Sequence, residues 1–261
     1  MKKILLTMLC FAIAATAFAY DGGDVTEAGR FEASTGFAYV KTTGYYDEDS
    51  KKQDVPGNLD PAATLIPLGL SYGIIDGLEA GLDLAFNFLN KDAGDVSGLD
   101  RPVLSAKYID PALNFGGFVE FALPLGSEDI VGKDPEAAIN LGVAYEARFN
   151  AFEIDTALEY NLTFEGDDKT KQDGFTLYVN PEYYLMDELS LALDIMFVKT
   201  FDEKFDGDSV DDTAGHLLAL APGVDYDVTD DFVLSASVPF TVMGKNSGAF
   251  VGFGIEAKYK F

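Results

Sequence analysis

The stretch Phe250-Val251-Gly252-Phe253-Gly254-Ile255-Glu256-Ala257-Lys258-Tyr259-Lys260-Phe261 decides the fold of this chain. Apolar side chains occupy its odd-numbered positions from Val251 to Phe261, and glycine, glutamate or lysine occupies the even-numbered positions between them. Successive side chains of a β-strand point to opposite faces. The alternation therefore predicts a strand with one apolar face and one polar face.

The same alternation recurs in twelve segments of the chain from Arg30 onward. Their approximate spans are 30–42, 63–75, 77–89, 102–109, 113–124, 138–149, 152–164, 174–185, 189–201, 215–227, 232–242 and 249–261. Tight turns such as Asp76-Gly77 follow the even-numbered segments, and long charged loops such as 202–214 follow most of the odd-numbered ones. This asymmetry is typical of outer-membrane barrels, whose short turns lie in the periplasm. We therefore predict an all-β fold, a transmembrane antiparallel up-and-down β-barrel of about 12 strands.

Alternation by itself also fits an exported soluble β-sandwich or adhesin whose apolar face points inward. A closed barrel of this width favours the membrane, since about eight strands already enclose an interior that side chains can fill. The polar face is also rich in Gly, Ala, Ser and Asn, which suits a lumen.

An aromatic residue at the end of the last strand resembles the terminal strand of Gram-negative outer-membrane β-barrels. The resemblance implies that Tyr259 and Phe261 form an assembly signal for the barrel assembly machinery. We expect this strand to pair with the segment that begins near Arg30, because that pairing closes the barrel and removes both sheet edges.

The amino-terminal residues predict export. Lys2 and Lys3 precede an apolar run over 4–15, and Ala17-Phe18-Ala19 is a small-x-small cleavage site. We expect a cleaved signal peptide over 1–19, a short periplasmic segment over 20–29 and the barrel over 30–261. The predicted localisation is the bacterial outer membrane.

Composition excludes several classes of function. The formal net charge is −26, which argues against nucleic acid or anionic lipid as a partner. The sole cysteine, Cys10, lies in the predicted signal peptide, so the mature chain has no thiol chemistry. Beyond the signal peptide, no run of about 20 apolar residues predicts a membrane-spanning helix.

Charged side chains on the polar parity of the strands predict the lining of the lumen. They are Glu79, Asp83, Lys107, Glu120, Glu146, Arg148, Glu153, Asp155, Glu159, Glu182, Asp194 and Asp225. Carboxylates in a pore favour cations, so we expect a narrow channel or transporter for small solutes with a cation preference. Phe118, Tyr178, Tyr184 and Met196 share the polar parity, which leaves a closed polar plug as an equal alternative.

A non-transporting surface barrel is the other class of function. Its acidic loops would contact lipopolysaccharide, metal ions or a partner, and we expect outer-membrane lipid and lipopolysaccharide to surround the protein in either case. The loop over 202–212 has Asp202, Asp206, Gly207 and Asp208 at calcium-loop spacing, but Lys204 stands at the third ligand position. This sequence fits a solvated acidic loop better than a calcium-binding loop.

Enzymatic and cofactor chemistry are not expected. The sole histidine, His216, lies at the loop end of its segment beside Leu217 and Leu218, and no nucleophile motif accompanies it. An interface histidine fits that position better than a hydrolase base. We predict no catalytic residues, no cofactor and no metal site.

The hairpin around Asp76 resembles a repeated motif of a family of outer-membrane transporters related to the phenol meta-pathway barrel protein. The matching residues are Tyr72, Gly73, Asp76, Glu79 and Gly81. The resemblance implies a barrel transporter, linked in some relatives to the uptake of small aromatic or hydrophobic compounds.

Overall fold

β-Strands are the main secondary structure of the computed structural model, which describes residues 25–55, 62–90, 95–133, 135–164 and 170–261. In chain order the strands are β1 (Phe31–Tyr46), β2 (Lys52–Gln53), β3 (Ala62–Ile75), β4 (Leu78–Asn90), β5 (Val96–Leu99), β6 (Val103–Asp110), β7 (Phe115–Ala122), β8 (Ala138–Phe149), β9 (Phe152–Thr163), β10 (Thr170–Lys171), β11 (Gly174–Met186), β12 (Leu189–Thr200), β13 (Lys204–Phe205), β14 (Asp208–Ser209), β15 (Gly215–Thr229), β16 (Phe232–Ser237), β17 (Phe240–Lys245) and β18 (Ser247–Lys260). The predicted signal peptide over 1–19 and the first part of the predicted segment over 20–29 lie outside the described residues.

The strands form a closed antiparallel barrel. The barrel runs in the order β1, β3, β4, β6, β7, β8, β9, β11, β12, β15, β16 with β17, and β18, and β18 pairs back with β1. At the seam, Glu32 stands opposite Lys260, and the backbone N–H groups of Phe31 and Phe261 each donate to the other residue's carbonyl at 2.9 Å. Twelve antiparallel strands and closure by the last strand on the first are therefore confirmed.

The two ends of the barrel differ, as the sequence predicts. At one end, here named the turn end, tight turns join neighbouring strands, and Gly77 takes a φ of 80° that a side chain would strain. At the other, named the loop end, longer connections carry elements that the sequence did not predict. They are the short strands β2, β5, β10, β13 and β14 and the one-turn helix α1 (Glu128–Val131).

The eleventh barrel strand is interrupted. β16 pairs with the turn half of β18, whereas β17 pairs with β18 at a single position, Phe240 opposite Val251. Pro239 lies between them and has no N–H to donate, although its carbonyl accepts the N–H of Gly252 at 2.8 Å. The strand predicted over 232–242 is therefore two strands, because proline removes a ladder hydrogen bond.

The outer surface of the barrel is apolar and carries aromatic side chains towards both ends. Near the turn end, Phe31 lies 4.6 Å from Tyr72 and 5.7 Å from Phe261, measured between ring centroids. Near the loop end, the Phe175 ring lies 6.1 Å from Phe197 and 6.4 Å from Phe201. Phenylalanine and tyrosine thus form the aromatic girdles of a membrane barrel in a chain without tryptophan. None of the described helices is both long and apolar enough to cross a membrane.

Candidate functional site: the barrel lumen

Strand parity places the predicted lumen residues on the inner face. In β9, for example, Glu153 and Glu159 are buried. Leu158 and Tyr160, the two sequence neighbours of Glu159, are exposed on the outer face. The same parity applies to the remaining predicted lumen residues of β4, β6, β7, β8, β11, β12 and β15.

A hydrogen-bonded network of acids and amides, here named the polar arc, lines the lumen on β7, β8, β9 and β11. Asn140 donates to the Glu120 carboxylate at 2.9 Å, and Asn161 donates to the Asn140 side-chain oxygen at 3.1 Å. Asn161 also donates to Glu159, and it accepts a hydrogen bond from Thr176 at 3.2 Å. The sequence alternation places Asn140 and Asn161 on the same polar face as Glu120 and Glu159, but it does not predict the hydrogen bonds between them.

Two more carboxylates lie near the middle of the barrel wall. Asp194 on β12 accepts a 2.6 Å hydrogen bond from Asn180 on β11, and Asp83 on β4 is exposed to the lumen. Within the described part of the chain, neither Asp83 nor Asp194 forms an ion pair, and the same holds for Glu120 and Glu159. The middle of the lumen therefore carries carboxylates without ion-pair partners among the described basic residues.

Three basic residues of the lumen lie nearer the turn end, and each of them pairs with an acid. Lys107 lies 3.2 Å from Glu79, Arg148 lies 3.6 Å from Glu153, and Lys260 lies 3.8 Å from Glu32. These three cations are thus each paired with an acid near the turn end.

Glu153 is the centre of a second network. Tyr184 donates to its carboxylate at 3.2 Å, and the Arg148 guanidinium lies 4.6 Å from the centroid of the Tyr184 ring. Oxygens of Glu146, Glu153 and Asp155 lie within 4.8 Å of one another. Arg148 already supplies a positive charge to Glu153, so these three carboxylates belong to an ion-pair network. Glu182 stands opposite Glu153 in the strand register, and Asp225 stands opposite Ser190 on the same inner face.

The segment before β1 enters the lumen at the turn end. Thr26 is buried, and both its backbone N–H and its hydroxyl donate to Glu79, at 2.8 and 2.9 Å. The backbone N–H of Gly29 donates to the carbonyl of Gly73 at 2.7 Å. A cavity of about 490 Å³ lies beside this segment and is lined by residues that include Val25, Ile109 and Asn114. The described part of the segment expected to be periplasmic, 25–29, therefore narrows the turn end.

Apolar side chains line the rest of the loop half of the lumen. This apolar arc lies mainly on β1, β3, β4, β12, β15 and β18, and its buried members include Val40, Leu65, Leu89, Met196, Val198, Leu217 and Phe250. Ile130 of α1 belongs to the same cluster, so the loop that carries the helix folds against it. The sequence predicted that Met196 points inward but did not predict the rest of the arc, because alternation assigned one polar and one apolar face to each strand. Val40, Val198 and Leu217 occupy the nominally polar parity.

The acidic loops use their carboxylates for internal hydrogen bonds. Asp202 accepts the N–H groups of Thr213 and Ala214 at 3.1 and 2.8 Å, which ties the two ends of its loop together. Asp47 accepts N–H groups of Asp49 and Lys51 and the Gln53 amide, and these bonds lower the pKa of its carboxyl. Among the described residues, the three carboxylates of the Glu146 grouping are the only cluster with metal-ligand spacing, so the 202–212 loop forms none.

A family model described as "Putative MetA-pathway of phenol degradation" matches residues 15–259. The chain belongs to this family. The match covers nearly the whole barrel, whereas the sequence resemblance rested on one hairpin. In the structure that hairpin is the β3–β4 turn, where Glu79 holds the segment before β1.

Solved structures similar to this family member are outer-membrane barrels. An outer membrane channel from Pseudomonas putida F1 has 17% sequence identity and a TM-score of 0.78, over 93% of this chain and 100% of that chain. The β domain of the Bordetella autotransporter BrkA has 14% identity and a TM-score of 0.58, over 89% and 99%. The CymD monoaromatic hydrocarbon channel has 9% identity and a TM-score of 0.51, over 92% and 90%. At these identities the likeness concerns the fold. A comparison with curated proteins finds no match.

Proposed function

We propose that this protein is a bacterial outer-membrane channel for small solutes whose lumen prefers cations to anions. The closed barrel, its apolar exterior and its two aromatic girdles suit a membrane. The turn end then faces the periplasm and the loop end faces the outside. Several solved structures of the same fold carry the names of channels and porins, which supports a channel and not an enzyme.

The carboxylates of the mid-lumen carry the cation preference. Asp83, Glu120, Glu159 and Asp194 form no ion pair within the described part of the chain, whereas Lys107 and Arg148 are each paired with an acid. Carboxylates around a lumen attract cations and repel anions at close range, where salt screens least.

Neutralising variants test the preference directly. Glu120→Gln and Asp194→Asn keep the side-chain size while each removes one negative charge. In planar bilayers under a KCl gradient, we expect each variant to move the reversal potential towards that of an unselective pore, and the double variant to move it further. Asp187→Asn in the exposed β11–β12 turn is the matched control and should leave the potential unchanged. Equal potentials for the wild type and the double variant would remove the carboxylates from the explanation.

The apolar arc favours a second candidate, in which the solutes are small aromatic compounds. A wall of Val40, Leu65, Met196, Leu217 and Phe250 on one side and hydrogen-bonding acids and amides on the other suits a compound with an apolar body and a polar group. The family description refers to phenol degradation, and the name of the CymD structure refers to a monoaromatic hydrocarbon.

Uptake measurements distinguish the two candidates. Cells that produce the channel should take up a labelled phenol faster than cells without it, and Leu217→Asn in the apolar arc should slow the phenol while changing ion selectivity little. If phenol uptake is independent of the channel, the aromatic candidate is wrong and the cation channel is unaffected.

A further inference from the structure

Three basic side chains stand in one row on the outside of the barrel at the loop end. His216 of β15 lies directly opposite Lys199 of β12 on one side and opposite Lys245 of β17 on the other. Cross-strand partners on one face have Cβ atoms about 4.5–5.5 Å apart, so the row is a continuous basic triplet. Lys199 lies on the same face of β12 as the exposed Leu191, and Lys245 lies on the same face of β17 as the exposed Met243. The triplet therefore lies on the outer face.

The aromatic girdle fixes the height of the triplet relative to the membrane. The His216 ring stacks on Phe197, with ring centroids 6.3 Å apart, and Phe197 contacts Phe175 in the girdle near the loop end. Aromatic girdles lie at the level of the lipid headgroups. Lys245 directly precedes the short turn at Asn246, so the hairpin that carries it ends at this level.

No carboxylate of the described chain neutralises the row. The charged groups that act on the His216 ring are Lys199 and Lys245, and neither lysine forms an ion pair with a described residue. Lys199 and Lys245 flank the His216 ring across the sheet, so a phosphate against the row would bring a negative charge close to both lysines. This arrangement is notable in a chain with 44 acidic and 18 basic residues.

We propose that Lys199, His216 and Lys245 bind the phosphate of an anionic lipid in the outer leaflet, of the kind that lipid A carries. Ammonium and imidazole N–H groups donate charge-assisted hydrogen bonds to phosphate oxygens. Lysine stems pack along apolar surface while their charged ends reach the headgroup level. The proposal rests on the proposed outer-membrane location and is independent of what the lumen conducts.

Retention of lipid A by the purified full-length barrel tests the proposal. Native mass spectrometry would compare diphosphoryl lipid A with lipid A from which the phosphates have been removed. We expect the wild type to retain the diphosphoryl form, and Lys199→Gln/Lys245→Gln to weaken that retention about tenfold or more, since each cation near a membrane surface contributes substantially to binding an anionic headgroup. Lys51→Gln/Lys52→Gln removes the same charge from an exposed loop on the same side and should stay within about twofold of the wild type.

Three further measurements distinguish loss of lipid A binding from misfolding and from loss of channel activity. Lys199→Arg/Lys245→Arg should retain lipid A, because it keeps both charges. Heat-modifiable gel mobility should show that every variant is folded, and single-channel conductance should be the same in the wild type and Lys199→Gln/Lys245→Gln. Equal retention of both lipid A forms, undiminished retention by the Gln pair, or displacement by millimolar inorganic phosphate would each overturn the proposal. A barrel that conducts no ions but loses lipid A on substitution would contradict the channel alone.

Discussion

At the residue scale, Phe261 closes the barrel through its backbone and its ring. Its N–H and carbonyl both bond to Phe31, and its ring stacks on Phe31 at 5.7 Å and on Tyr259 at 6.0 Å. We predict that deletion of Phe261 lowers the amount of folded barrel in the outer membrane, because the seam loses two hydrogen bonds and the girdle loses a ring. Fractionation with heat-modifiable gel mobility measures this. Phe261→Tyr is the control and should assemble normally. Normal assembly of the deletion variant would contradict the role of Phe261.

Gly142 leaves room for the tip of the Phe118 ring at the lumen wall. A Cβ at position 142 would lie 2.1 Å from the Phe118 Cζ atom, so Gly142→Ala forces the ring away from the wall. We predict a smaller single-channel conductance for this variant, since the displaced ring enters the lumen. Phe118→Ala/Gly142→Ala removes the clash and should conduct at least as well as the wild type. Unchanged conductance in Gly142→Ala would show that Phe118 does not line the conducting path.

At the element scale, the Glu79–Lys107 pair joins β4 to β6 and holds the segment before β1. Both side chains are mostly buried, at 15% and 14% relative exposure. Removing one partner leaves the other charge uncompensated, so Glu79→Gln or Lys107→Gln should cost on the order of 3 kcal/mol of unfolding free energy. Urea unfolding in phospholipid vesicles measures it.

The double variant separates the pair from its surroundings. Glu79→Gln/Lys107→Gln leaves no lone charge and should cost less than the sum of the two single variants. Additive costs would mean that the two side chains act independently and that the 3.2 Å contact contributes nothing to the stability of this end of the barrel.

The sequence predicted strands and turns well because both have local causes. Period-two alternation placed the β8 boundaries at 138–149, which is the observed range, and Asp76-Gly77 and Asn150-Ala151 predicted tight turns from their own backbone preferences. The interruption at Pro239 and the helix α1 were missed. α1 forms where a loop folds back on apolar residues of distant strands, and no local pattern encodes that packing.

The lumen was predictable only in part, for the same reason. Parity selected Glu120 and Glu159 from their own strands. The ion pairs of Lys107 and Arg148, the amide links through Asn140 and Asn161, and the apolar arc depend on which strands are neighbours around a closed barrel. The charge of the mid-lumen depends on which basic residues form ion pairs. Those ion pairs depend on the assembled barrel.

At the scale of the whole molecule, charge and apolar surface are separated by location. Acidic residues fill the loops and the lumen, apolar side chains cover the outside, and the basic triplet lies on the outer face near the loop end. A net charge of −26 is therefore compatible with a membrane barrel. The resulting field should raise the local concentration of cations at the loop end and in the lumen.

The reversal potential of single channels in a planar bilayer under an asymmetric KCl gradient tests the central claim most directly. The proposed channel predicts discrete conductance steps and a reversal potential of the sign that K⁺ permeation produces, reduced in magnitude by Glu120→Gln/Asp194→Asn. A potential of the sign that Cl⁻ permeation produces would contradict the acidic lumen, and folded barrels that conduct no ions would contradict the channel.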